Sequence, residues 1–252
     1  MRGWIESPIY FLLLGLLCGL VGFRLGWRSG QRIALPLIQG VLGWVGFATA
    51  WRAAGAFAGV EAVAGWVAGT TVISLGRFRR EPETADRLVL RAVPYRTMMF
   101  EWLRSGRGPE TRPFRTALEH ARELLVYLLA AVASANLLSI AMGAVLLNYM
   151  NAYVARLTAT ATRRWVVRLL AWNLWSIVRV AAYVLLGAAA AAPLAERAGF
   201  PASPEQVKVL WLVGLVGAAL DLILKLTLSR ACGRRLASAA ELSAPPQEGT
   251  EG

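Results

Sequence analysis

Six stretches of the chain, residues 8–23, 33–51, 56–75, 123–154, 165–194 and 207–228, are almost free of charge, and shorter polar or basic segments separate them. A hydrocarbon core of ~30 Å takes about 20 apolar residues in a helix. Most of the six reach or approach that length, and 123–154 and 165–194 exceed it. Lipid offers no partner for backbone N–H and C=O groups, so a segment embedded there must be helical. The pattern predicts an all-α integral membrane protein, a helical bundle of about six transmembrane segments. Residues 1–236 form one membrane domain with a basic amphipathic insert, 76–122, between spans 3 and 4. The polar tail 237–252 carries Pro245 and Pro246 and reads as disordered.

Spans 2 and 3 are separated only by Arg52 to Gly55, which forces an antiparallel hairpin. Gly15 and Gly19, Gly22 and Gly26, Gly55 and Gly59, and Gly65 and Gly69 stand four apart. Such faces let helices approach closely, within the chain or across a dimer seam. Span 1 is bracketed by Trp4 and Trp27, as interfacial aromatics bracket retained spans. In the insert, Pro94 predicts a break into two short pieces. Thr116 with Glu119 matches a capping box. Beyond it nothing interrupts a helix until about Leu157, and span 5 reads as one helix from Trp165 to Leu194 with Arg168, Trp172, Trp175 and Arg179 on one face.

Composition agrees. The hydrophobic fraction is 57% and the mean hydropathy +0.51, above the usual range of soluble domains. The net charge is +12, but the positives lie between apolar spans, where they set topology and meet lipid headgroups. The partners expected are therefore the bilayer, anionic headgroups at the insert, and a second copy or another membrane subunit, not nucleic acid. Only Lys208 and Lys225 are lysines among 27 basic residues, a bias of GC-rich bacterial genomes. The expected location is the bacterial cytoplasmic membrane. Cys18, Cys232 and His120 are too few for a zinc site or disulfide framework. No P-loop, H-E-x-x-H or G-x-S-x-G motif occurs. The expectation is a non-enzyme without cofactor or metal.

Charge placement poses a topological conflict. Arg24, Arg28 and Arg32 follow span 1, and the insert carries eleven arginines against six acids. Arg156, Arg163 and Arg164 follow span 4, and Arg230, Arg234 and Arg235 follow span 6. Six simple crossings put these last two clusters on the side opposite the insert. A hairpin within 123–154, bent near Ser134, Asn136, Ser139 and Gly143, would return every cluster to one side. The lack of proline or another strong breaker in span 4 favours six crossings instead.

Ionisable groups in hydrocarbon are costly, so each is paired, interfacial or functional. Glu61 lies in span 3, Arg179 in span 5, and Asp221 and Lys225 share a face of span 6. Asn136 and Asn173 can hydrogen-bond between helices. One reading places these six residues along a substrate or ion path; the other makes Asp221–Lys225 a structural pair and Glu61–Arg179 an interhelical bridge. His120 reads as solvated or interfacial. The functional expectation is a small channel or transporter for an ion or small solute, oligomeric in form. The alternatives are a non-catalytic subunit or scaffold of a larger membrane complex and, third, a lipid-modifying enzyme.

Overall fold

The structure, a computed structural model, describes residues 7–106, 113–161, 166–167 and 170–240, with side chains from 116 onward in the second of these stretches. The described residues are all-helical: α1 (Pro8–Arg28), α2 (Ala34–Ala54), α3 (Ala56–Arg80), α4 (Pro82–Leu88), α5 (Ala92–Ser105), α6 (Pro113–Ser134), α7 (Leu137–Thr160), α8 (Leu174–Arg197) and α9 (Pro204–Ala239). Six of them, α1, α2, α3, α7, α8 and α9, are long and apolar enough to cross a membrane. Trp4, Glu110, Arg163, Arg164, Trp165, Arg168 and the tail from residue 241 lie outside the described residues.

The first three helices pack through glycine. A methyl group at Gly15 would stand 1.7 Å from the Ala62 carbonyl oxygen, and one at Gly65 would stand 2.0 Å from that of Leu12. Gly19 and Gly69 repeat this contact one turn on. α1 and α3 therefore run parallel with their backbones touching, an approach that only a residue without Cβ permits. Gly22 and Gly26 serve α2 in the same way, facing Gln39 and Leu35. Gly55, with φ +89°, makes the tight turn between α2 and α3.

Two ends of the bundle can be told apart. At the first, the Gly55 turn meets the segment between α8 and α9, where the Trp51 indole donates to the Pro201 carbonyl at 2.7 Å. At the second, Asp86 of α4 accepts from Arg96 of α5 and from Arg156 of α7 at 2.9 Å, and Trp102 of α5 packs on Gly233 of α9.

The uninterrupted helix expected from Thr116 to Leu157 is not formed. Its chain turns at Ala135 and Asn136, whose φ values of 46° and 75° are left-handed. The turn sits halfway up the bundle. Ala135 offers its carbonyl to the Trp44 indole at 2.8 Å, and Trp44 is midway along α2. A methyl group at Gly187, midway along α8, would stand 2.7 Å from Asn136 Oδ1. From this point α7 runs to the Asp86 end, where Arg156 reaches Asp86. α6 lies parallel to α8, with the Tyr127 ring beside that of Tyr183 at 4.9 Å between centroids. Both helices thus run between mid-depth and the same end.

Smaller corrections follow. α6 starts at Pro113, so Thr116 lies inside the helix and does not cap it. The insert breaks at Val89–Arg91, with Arg91 left-handed. Pro94 stands in the first turn of α5, where its missing N–H costs nothing. Span 5 is divided by a turn at 171–173, and α8 starts after Asn173, so Trp172 and Arg179 do not share one continuous helical face. α9 continues to Ala239, past residue 236, because Leu236 and Ala239 are buried against Met99, Trp102 and Leu103.

Gly15→Ile and Gly65→Ile should each lower stability by about 1–3 kcal/mol, the usual cost of overpacking, read as a fall in thermal midpoint in detergent. Gly76→Ala and Gly143→Ala face open space and should be neutral or stabilising by up to ~1 kcal/mol.

Candidate functional site

The polar residues buried in the bundle form two groups. The first ties α7 to α2 and α3. Asn148 Nδ2 donates to Gln39 Oε1 at 2.6 Å, and Asn151 Nδ2 donates to Ser74 Oγ at 2.7 Å. The Trp66 indole donates to the Gln39 carbonyl at 3.0 Å. These amides and hydroxyls are fully buried. In a low-dielectric interior each such bond is strong, and an orphaned partner is costly. This group holds the returning helix in place.

The second group lies where α6, α8 and α9 meet. Arg179 of α8 grips Asp221 of α9 in a two-pronged contact: Nε donates to Oδ2 at 2.8 Å and Nη2 to Oδ1 at 3.1 Å. This fork-to-carboxylate geometry is the strongest ion-pair arrangement the two side chains can make. Lys225, one turn along α9, is only 5% exposed and Asp221 3%. His120 of α6 completes the cluster. Its Nδ1 donates to the Thr116 carbonyl at 2.7 Å, which directs Nε2 at Asp221 Oδ2, 3.8 Å away. Nε2 is buried without a hydrogen-bond partner among the described residues.

Above this cluster a polar ladder climbs to the helix break. Tyr183 packs against Tyr127 with the rings tilted by 37°, Tyr127 hydrogen-bonds Ser139, and Ser139 Oγ donates to the Asn136 carbonyl at 2.9 Å. Ser139 also hydrogen-bonds Asn136 Oδ1. Eight residues separate Arg179 from Gly187 on α8, so the ion pair lies about 12 Å below the break along the axis.

The structure therefore brings Arg179, Asp221 and Lys225 together, and connects Asn136 to them through the tyrosines. It does not bring Glu61 to them. Glu61 is half-buried near the Gly55 end of α3, and the interhelical bridge to Arg179 is not formed, because Arg179 is held by Asp221. Asn173 stands at the turn that opens α8, buried, with φ 34°, and its Oδ1 has no hydrogen-bond partner among the described residues. His120 reads as solvated or interfacial in sequence; its side chain is 15% exposed, so it is not fully solvated. No sequence spacing announces it, since it meets Asp221 across a hundred residues of chain. Gln39, Tyr127 and Tyr183 are likewise members of the polar interior that sequence reasoning passed over; a polar residue inside an apolar run was the available signal for Gln39.

No group of three or more His, Cys, Asp or Glu side chains that could hold a metal occurs among the described residues. Chemically, the α6–α8–α9 cluster can exchange its ionic partners. A proton or cation on Asp221 would free Arg179, and an anion near Arg179 would compete with Asp221. Comparison with protein-family models, curated proteins and solved structures gives no match, so the site is read from its own geometry.

Breaking one half of the buried pair leaves an uncompensated charge. Asp221→Ala should destabilise the protein by about 3–5 kcal/mol in detergent unfolding. The double variant Arg179→Leu/Asp221→Leu should recover most of that loss. Equal losses in both would deny the pair its coupling.

Proposed function

We propose that this chain is a multi-pass protein of the bacterial cytoplasmic membrane that moves an ion or small solute across it. The observation that carries this reading is the Arg179–Asp221 pair, with Asp221 and Lys225 buried and His120 beside them, about 12 Å below a helix break at mid-depth. Ionisable groups set among apolar helices recur along ion and proton pathways. Discontinuous helices at mid-membrane recur where transporters bind their cargo, because the interrupted ends free backbone groups.

The cluster is close-packed, so access to it requires helix movement, and a carrier fits better than an open pore. Neutralising Asp221, by a proton or a cation, removes the partner of Arg179. Arg179 then needs another, and α6, α8 and α9 reorganise around it. His120 Nε2 stands 3.8 Å from Asp221 Oδ2, so a small approach of α6 would let it take or return a proton there.

The same reading resolves the conflict of charges. α1, α2, α3, α8 and α9 cross the bilayer, while α6 and α7 enter and leave on the Asp86 side. Arg24, Arg28, Arg32, Arg77, Arg80, Arg87, Arg156, Arg230 and Arg234 then share one face, the cytoplasmic one. At the Gly55 end Arg52, Arg197 and Lys208 are balanced by Glu61, Glu196 and Glu205.

A second reading, a non-catalytic subunit of a larger membrane assembly, is favoured by α9. Only 17% of its most apolar window is buried, which leaves a long apolar face for lipid, a second copy or another subunit.

Purified protein in liposomes should dissipate an imposed proton, potassium or chloride gradient, followed with ion-sensitive dyes. Asp221→Asn and Arg179→Gln should each cut that flux at least tenfold, and Lys208→Ala should leave it unchanged. Null flux for every gradient, with a stoichiometric membrane partner recovered in mild detergent, would favour the subunit reading.

A further inference from the structure

Two clefts flank α5 at the Asp86 end. The larger, about 720 Å³, lies between α5 and the end of α7. Two of its three arginines are committed, since Arg96 and Arg156 hold Asp86; the third, Arg104, stands between the two clefts, and Glu101 stands in the wall of the larger one. The smaller, about 420 Å³, lies between the end of α5 and α9 and differs in every respect that matters to an anion. Arg104, Arg230 and Arg234 line it, with no carboxylate in its wall among the described residues. None of the three pairs with an acid among the described residues.

Its floor is built rather than incidental. A methyl group at Gly233 would stand 2.9 Å from Trp102 Cζ2, so the indole is seated on the α9 backbone. Met99, Trp102, Leu103 and Leu236 are all buried around this contact. The cleft therefore has a fixed apolar base under a rim of three guanidinium groups.

An apolar stripe on α9 leads into it. Val216, Leu220, Ile223 and Thr227 recur at helical spacing on an exposed face, and the next two positions of that face are Arg230 and Arg234. Val216 and Ile223 are 59% and 56% exposed. Hydrocarbon chains lying along this stripe would end with their polar group between the arginines. A free anion has no use for the stripe, and a nucleic acid or acidic peptide has no apolar tails to lay on it.

We propose that this cleft holds the phosphate headgroup of an anionic glycerophospholipid whose acyl chains lie along α9. Arg104, Arg230 and Arg234 recognise the phosphate through paired N–H groups. The proposal rests on the membrane reading above but not on transport, so it stands or falls separately from the flux experiment.

Native mass spectrometry of the detergent-purified full chain tests it, with dioleoylphosphatidylglycerol and dioleoylphosphatidylcholine as probes. The wild-type chain should retain phosphatidylglycerol and not phosphatidylcholine. Each arginine near a headgroup contributes roughly fivefold, so Arg230→Gln/Arg234→Gln should weaken retention about 25-fold. Arg230→Lys/Arg234→Lys, which keeps the charge but loses the paired N–H geometry, should fall between the wild type and the glutamine pair, and Arg24→Gln/Arg28→Gln, which removes equal charge at the same end, should leave it unaltered. Equal weakening by the α1 and α9 pairs would reduce the effect to net charge and overturn the site. So would equal retention of phosphatidylcholine. Displacement by millimolar inorganic phosphate alone would make the ligand a soluble anion and overturn the lipid assignment.

Discussion

A helix can stop at the middle of a membrane-sized bundle only where protein takes over the hydrogen bonds that the missing turn releases. That constraint governs this fold. At Ala135–Asn136 several of the released groups find partners: the Trp44 indole donates to the Ala135 carbonyl, and Ser134 Oγ accepts from the Leu138 amide at 2.9 Å. The Asn136 amide donates to the Ala131 carbonyl at 2.9 Å. α2 and α8 must lie close enough to supply and shelter these partners. α2 does so because the glycines of α1 and α3 draw the first three helices together. α8 does so because Gly187 leaves room for Asn136 and Tyr127. Small residues thus create the space in which a polar turn survives.

The break in turn decides where charge can reside. A helix pair that rises only to mid-depth brings His120 of α6 alongside Asp221 of α9 and leaves α8 to supply Arg179. Three helices meet there: α6 and α8 each contribute one ionisable group, and α9 contributes two, Asp221 and Lys225. Below, the Asp86 clasp holds α4, α5 and α7 together, so the insert is fastened to the returning helix rather than hanging from the bundle. The arrangement concentrates polar chemistry between mid-depth and the Asp86 end. The Gly55 half is dry, with Phe47, Trp51, Val63 and Trp66 packed against the alanines of α8. A carrier built this way would have its binding groups near one face and its hydrophobic gate toward the other.

Much of the fold is legible in the chain. Apolar segments of bilayer length, separated by arginines, specify helices and their approximate ends, and paired glycines specify which faces touch. The break at Ala135–Asn136 is not legible in this way, since neither proline nor glycine marks it. Asn tolerates the left-handed region, but what stabilises it there is the Trp44 indole, 91 residues away in sequence. The charge pattern pointed the same way as the break, since Arg156 lies beside the insert at Asp86, where a returning segment would put it. At the site, Arg179, Asp221 and Lys225 stand out as charges in oily helices. Their pairing does not, because a side chain's partner on another helix depends on rotation and depth. For the same reason Glu61 looked equivalent to Asp221 until its distance from α8 and α9 was known.

The central claim is that the segment from Pro113 to Thr160 returns to the face it leaves. Membrane-impermeant maleimide labelling of single cysteines, in a Cys18→Ala/Cys232→Ala background and in sealed oriented vesicles, tests it most directly. Ser105→Cys and Thr160→Cys should react from one face, and Ala202→Cys from the other. Reaction of Ser105→Cys and Thr160→Cys from opposite faces would contradict the account.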